Sequence, residues 1–280
     1  MTPFDDRICD LGEGPLWHPL RGQFFWFDIL GRRLLSREAG LPLDWRFDRM
    51  ASAAGWVDRD RLIVATETGL ALLDLTRGVL QMLAEVEADQ PDTRSNDGRA
   101  DRQGGFWFGT MGKQAQQGRG AIYRWYRGDL RRLVSGITIP NAICFSADGR
   151  SAHYADTRQG RVWRLDLDAA GWPQGAPRPY LDLRGDGLNP DGAVIDAEGA
   201  LCLACWGAGR VIRFDPSGGR LDEVAVGGLH SSCPALGGAD LRDMLVTTAR
   251  EGIADPDPAQ GLPWLVRAPA PGLPEPQVLL

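Results

Sequence analysis

Four short segments set polar residues among glycines and prolines: Gly12-Glu13-Gly14-Pro15, Arg94-Ser95-Asn96-Asp97-Gly98, Ile139-Pro140-Asn141-Ala142 and Asn189-Pro190-Asp191-Gly192. Glu13, Asn141 and Asp191 would together offer three oxygen donors and two negative charges. Such a set suits a hard or borderline divalent cation that keeps positions for water or substrate oxygens, and it does not resemble a structural zinc site. Arg94 adds a planar fork of donors fitted to a ring oxygen, vicinal hydroxyls or a developing carboxylate. Each motif alone is ordinary: Pro-Asp-Gly is a common turn, and Arg94 has Asp92, Asp97 and Asp101 nearby as salt-bridge partners. Their recurrence at one phase of a longer repeat is not ordinary.

That repeat is built from strands. Runs rich in aromatic and β-branched residues recur at Gln23 to Ile29, Arg61 to Thr66, Gly105 to Thr110, Ser151 to Asp156, Ala200 to Trp206 and Asp243 to Thr248, roughly 40 to 50 residues apart, the spacing of propeller blades. Asp101-Arg-Gln-Gly104, Ser146-Ala-Asp-Gly149 and Asp196-Ala-Glu-Gly199 read as hairpin turns, and second strands follow at Gly120 to Trp125, Gly160 to Leu165 and Gly209 to Phe214. The expected fold is all-β, a six-bladed β-propeller of four-stranded antiparallel blades. One phase of every blade then lies at one end of the central channel, so residues distant in sequence converge there. Leu70 to Glu87 is the nearest approach to a helical pattern, and Thr76-Arg-Gly78 interrupts it. Residues 1–280 are expected to form a single domain, the ring closing where Gln277 to Leu280 pairs with a strand near Arg7 to Leu11; the alternative is a frayed terminus.

Composition narrows the chemistry further. The 280 residues include 36 Gly and 19 Pro, and 37 acidic against 31 basic residues leave a net charge of −6. No basic patch fits a phosphate backbone, and Lys113 is the sole lysine, so Schiff-base and P-loop chemistry is close to excluded. No secretory leader or membrane-length apolar run is evident, and five scattered cysteines give no disulfide framework; a soluble cytoplasmic protein is expected. Cys202 and Cys205 sit in one strand with odd spacing and so point to opposite faces. His18, His153 and His230 show no metal-ligand spacing, although His230 lies near the channel phase of the last blade. No Gly-x-Ser-x-Gly elbow or dinucleotide loop occurs.

The whole set of motifs resembles the SMP-30/gluconolactonase family, which includes regucalcin and bacterial sugar lactonases. The resemblance rests on Leu11-Gly-Glu-Gly-Pro15 with Trp26-Phe-Asp-Ile29, Arg94 to Gly98 with Phe106-Trp-Phe-Gly-Thr-Met111, Pro140-Asn141 with Phe145 to Gly149 and Tyr154-Ala-Asp156, and Pro190-Asp-Gly192 with Ile195 to Gly199 and Gly209-Arg-Val211. It implies a six-bladed propeller, a divalent cation held by Glu13, Asn141 and Asp191, and Arg94 and Asn96 on the substrate, with Asn96 near the metal. The implied reaction is hydrolysis of an aldonolactone to the aldonic acid.

Asp191 is the candidate catalytic base, against water activated directly by the cation. Calcium, zinc, magnesium, manganese and ferrous iron all suit the donors, and Trp107 and Met111 are candidates for an apolar pocket face. The expected partner is a small sugar lactone, without nucleic acid or membrane, and the protein a monomer or weak homo-oligomer. Two departures stand out: Ala142 occupies the usual glycine position, a change expected to alter little, and the lid between Met111 and Gly120 lacks the carboxylate some relatives carry. Rival readings are a calcium-dependent phosphotriesterase or esterase and a non-catalytic calcium-binding propeller.

Overall fold

A computed structural model describes residues 2–280. Its strands form six four-stranded antiparallel sheets arranged as blades of a β-propeller. The first strands of blades 1 to 6 are Gly12–His18, Ala51–Trp56, Thr93–Ala100, Pro140–Phe145, Asn189–Ile195 and His230–Gly237. Each packs against the first strand of the next blade around the ring. Where six strands converge on an axis only small side chains fit, and these strands are correspondingly rich in Gly, Ala and Ser. The second strands carry the large residues, with Phe25, Phe27, Trp26, Phe106 and Trp107 fully buried or nearly so.

The core is divided between the blades. One apolar cluster fills each of the six interfaces, for example Phe25, Phe27 and Leu34 of blade 1 against Leu62 and Val64 of blade 2, and Trp107 and Ile122 of blade 3 against Phe145 and Tyr154 of blade 4. Trp107, a candidate pocket residue, therefore belongs to an inter-blade core. A single blade could not bury both of its faces, so the ring is the stabilising unit. Cys202 and Cys205 fall into clusters on opposite faces of their strand, as their spacing requires.

The predicted turns form, with Gly104, Gly149 and Gly199 at φ of +91°, +67° and +81°. Leu70 to Glu87 is two strands, Gly69–Asp74 and Val79–Glu85, turned at Gly78 with φ of +67°. No helix among the described residues is long and apolar enough to cross a membrane.

Closure uses other segments of the two chain ends than Gln277 to Leu280 and Arg7 to Leu11. Thr2–Pro3 pairs with Trp264–Arg267 as the outermost strand of blade 6, while the stretch near Arg7 makes only one bridge, Leu11 to Ala249. Gln277 to Leu280 is neither a strand nor frayed. Val278 is 1% exposed and sits over Gly55, whose missing Cβ leaves the space. The main-chain N–H groups of Val278 and Leu279 donate to the carbonyls of Trp56 and Gly104, both at 2.8 Å. The apolar terminal run is thus explained by docking on the ring face.

That docking belongs to a longer strap. The main chain at Pro271 and Gly272 bonds Ala197 and Leu241, Arg102 donates to the carbonyl of Pro274, and Trp56 donates through Nε1 to the carbonyl of Glu275. The Glu275 carboxylate meets Arg99 at 3.5 Å, both side chains buried, at the ends of the first strands farthest from the polar motifs. A void of about 10 Å³ is left there, room for about one water.

Candidate active site

Every first strand slips register against the second strand of its own blade at the same level: Glu13/Leu16, Ala51/Ala53, Ser95/Gly98, Asn141/Cys144, Pro190/Ala193 and Ser231/Cys233. A bulge frees residues from the ladder and re-aims their side chains. Four of the six bulges hold or adjoin Glu13, Asn96, Asn141 and Asp191. The bulges of blades 2 and 6 carry Ser52 and Ser232, which tie blades together through Ser95 at 2.7 Å and through the carbonyl of Gly12.

Glu13, Arg94, Asn96, Asn141 and Asp191 all line one cavity of about 360 Å³ at the channel mouth. Met111 lines it too. A polar chain connects three blades across its floor. Arg94 Nη1 donates to Asn96 Oδ1 at 2.8 Å, and Asn96 Nδ2 donates to Asn141 Oδ1 at 3.0 Å. Asn141 Nδ2 donates to Thr157 Oγ1 at 2.8 Å, whose hydroxyl donates to the carbonyl of Pro190 at 2.7 Å, next to Asp191. Asp97 turns away from the cavity, accepting the N–H groups of Gly98 at 2.8 Å and Ile143 at 2.7 Å and so linking the bulges of blades 3 and 4.

The electrostatics favour an added positive charge. Glu13 and Asp191 are 2% and 4% exposed, and among the described residues neither has an ion pair. Glu13 accepts only the N–H of Gly14, and Asp191 meets that of Gly192. Burial pushes the Glu13 carboxyl up to about 8, aided by the charge of Asp97; burial and then Glu13 raise Asp191 well above the usual range. Two facing carboxylates in a space of low dielectric repel each other unless a cation intervenes. Among the described residues no group of three His, Cys, Asp or Glu is placed to hold a metal, so the Asn141 amide oxygen is needed to complete a donor set. The three residues fit a divalent cation in type, charge and placement at one cavity.

Arg94 makes none of the salt bridges open to it in sequence. Asp92 pairs with Arg119 and Asp101 with Arg124. Burial lowers the Arg94 pKa, opposed by Glu251, Glu13 and Asp191. Among the described residues its side-chain hydrogen bonds run through Nη1, which leaves the rest of the fork to the cavity.

Sequence reasoning missed part of the wall: Lys113, Thr157, Trp206 and Glu251. All four lie at or just beyond the ends of second strands in blades 3 to 6. In an antiparallel blade the second strand ends beside the start of the first. The signal was the phase, once both strand ends were considered. His230 opens the first strand of blade 6 and stacks on Trp206 at 4.2 Å between ring centroids, outside the cavity wall.

A closed ring of blades with a polar, carboxylate-bearing pocket at one mouth defines a small-molecule-binding β-propeller. Residues 11–250 match the SMP-30/Gluconolactonase/LRE-like region, and the chain belongs to that family. It is 36% identical to L-arabinolactonase of Azospirillum brasilense over 91% of this chain and 86% of the relative. It is 31% identical to 6-deoxy-6-sulfogluconolactonase of Pseudomonas putida over 95% and 94% of the two chains. The crystal structure of regucalcin, a calcium-binding protein from Agrobacterium tumefaciens, superposes with a TM-score of 0.97 at 38% identity, covering 99% of this chain and 97% of that one.

Proposed function

We propose that this chain is a metal-dependent sugar lactonase that hydrolyses an aldonolactone to the aldonic acid. The observation that carries the reading is the buried Glu13–Asp191 pair, without a basic partner, beside the unspent donors of Arg94 in one cavity. Two relatives are named as lactonases and a third as a calcium-binding protein, in keeping with it. The free, buried cysteines suit a reducing cytoplasmic setting, and the chain is read as one propeller domain.

Glu13, Asn141 and Asp191 would hold the divalent cation, which when bound supplies Lewis-acid stabilisation of charge on the lactone carbonyl oxygen. Arg94, through Nε and Nη2, orients the ring, with no change in its own protonation. Asn96, held by Arg94 and Asn141, fixes the floor against which the lactone rests. Asp191 takes the proton of the attacking water as the water oxygen bonds to the carbonyl carbon. The ring C–O bond then breaks, and Asp191 returns the proton to the departing ring oxygen, which becomes the hydroxyl of the aldonic acid. Met111 and Trp206 supply the apolar flank.

The test is pH-stat turnover of several aldonolactones by protein loaded with each divalent metal; rates no higher than spontaneous hydrolysis on all of them would defeat the reading. An independent measurement is thermal unfolding with and without cation. A ligand bound only by the native state raises the midpoint, by about 2.7 kcal/mol of stability at 100 times Kd. Glu13→Gln and Asp191→Asn should each abolish that rise together with turnover, and a rise retained in both would remove the ligand assignment.

A further inference from the structure

The wall of the cavity facing the lid carries an acid that the lactonase reading leaves without a role. Glu251 follows the second strand of blade 6, is exposed, and lines the cavity. Among the described residues its carboxylate has neither an ion pair nor a hydrogen bond. Its backbone is nevertheless held in place: its N–H donates to the carbonyl of Asp10 at 3.0 Å, and its own carbonyl lies 3.0 Å from His230 Nδ1. The His230 ring backs Trp206, a second member of the same wall. A carboxylate on a fixed backbone beside an indole face is the chemistry that reads a polyhydroxylated ring. The carboxylate accepts two O–H donors from vicinal hydroxyls, and the aromatic face covers the C–H side.

The charge balance at the mouth indicates which ring. Lys113, the only lysine, is held by Glu67 at 2.7 Å, so it offers little to an anion. Arg158 lies beyond Ala115, in a separate cleft of about 470 Å³ with Gln117 and Gln159. The lid itself contributes Gln114 and Ala115 to the pocket and no carboxylate. Arg94, whose strongest opposing charge is Glu251, is engaged with the lactone ring on the same reading, so Glu251 is the carboxylate that an outward-pointing substituent would meet.

We propose that Glu251 is the specificity-determining residue of the pocket, binding the hydroxyls remote from the lactone carbonyl and turning away lactones that carry an anionic tail. The inference rests on the lactonase reading and names its substrate class, a neutral aldonolactone.

The test compares kcat/KM for glucono-1,5-lactone and its 6-phosphate in the metal-loaded wild type and in Glu251→Gln. A hydrogen bond to a charged group contributes about 1.5–3 kcal/mol, which corresponds to about 10-fold or more in the ratio. The wild type should favour the neutral lactone by about that factor. Glu251→Gln should narrow the ratio by about 10-fold, raising KM for the neutral lactone more than it lowers kcat and improving turnover of the phosphate. Because Glu251 is exposed and unpaired, the thermal midpoint should stay in place. An unchanged ratio in the variant overturns the proposal. So does a wild type that prefers the phosphate and loses that preference in Arg158→Met. Absence of turnover on every lactone would instead sink the lactonase reading itself, an outcome distinct from both.

Discussion

At the scale of single residues, the site shows how little side chain is needed when the backbone does the aiming. Glu13, Asn96, Asn141 and Asp191 converge through bulges, and a Cβ at Gly192 would collide with Cys233 of the neighbouring blade. Their types were legible in the sequence; the surroundings were not, because Thr157, which bonds Asn141, and Glu251, which lines the cavity, are ordinary residues just beyond strand ends. Ala142 is the instructive case. It was expected to matter little, yet its φ is +53°, the left-handed region that costs a residue with a Cβ about 1–2 kcal/mol. Glycine carries no such strain but loses more chain entropy on folding, so Ala142→Gly should raise stability by about 1 kcal/mol or less. Denaturant unfolding would show it, and a lower midpoint in the variant would contradict the strain argument.

At the scale of elements, the three predicted hairpin turns are not equivalent. In blade 3, Asp101 Oδ1 accepts the N–H of Gly105 at 2.8 Å while Oδ2 accepts Trp107 Nε1 at 3.0 Å and Arg124 Nε at 2.6 Å. Asp196 does the same in blade 5, where Oδ2 takes Arg213 Nε at 2.9 Å. Blade 4 has Ser146 at this position, whose hydroxyl accepts the N–H of Ser151 at 3.0 Å and has no second oxygen to offer. Ser151 Oγ, His153 Nδ1 and Arg164 Nε are correspondingly left without partners among the described residues. Burial, and then Arg164, push the His153 pKa down to about 4. An unfolded histidine titrates near 6.5, so between those values the unfolded chain binds more protons. The contribution of His153 is full above about pH 6.5 and is lost as pH falls towards 4, by at most about 3 kcal/mol. Ser146→Asp should restore the missing acceptor, raise the midpoint at pH 7 and flatten its fall between pH 6.5 and 4. Parallel curves for variant and wild type would rule this out. The repeat was visible in the turn motifs, but the substitution within it showed its meaning only once the strands were paired.

At the scale of the whole molecule, the blade count and the level of the polar motifs followed from the spacing of strands, whereas the segments that close the ring did not. A two-residue strand such as Thr2–Pro3 has no periodicity to detect, and an apolar terminus reads equally as strand or as docked chain. The segment from Pro269 to Leu280 spans blades 2, 3, 5 and 6. Its removal deletes the partner of the buried Arg99, and leaving a buried charge unpaired costs about 3–5 kcal/mol. Glu275→Gln, which keeps the length and shape of the side chain, should lower the midpoint less than deletion of residues 269–280, and equal losses would show that the ion pair dominates the strap. The strap and its Arg99–Glu275 pair crowd the far end of the first strands, leaving a void of about 10 Å³. On the lactonase reading the acid would leave by the route along which the next lactone arrives, so aldonate added to the assay should compete with fresh lactone, raising KM and sparing kcat.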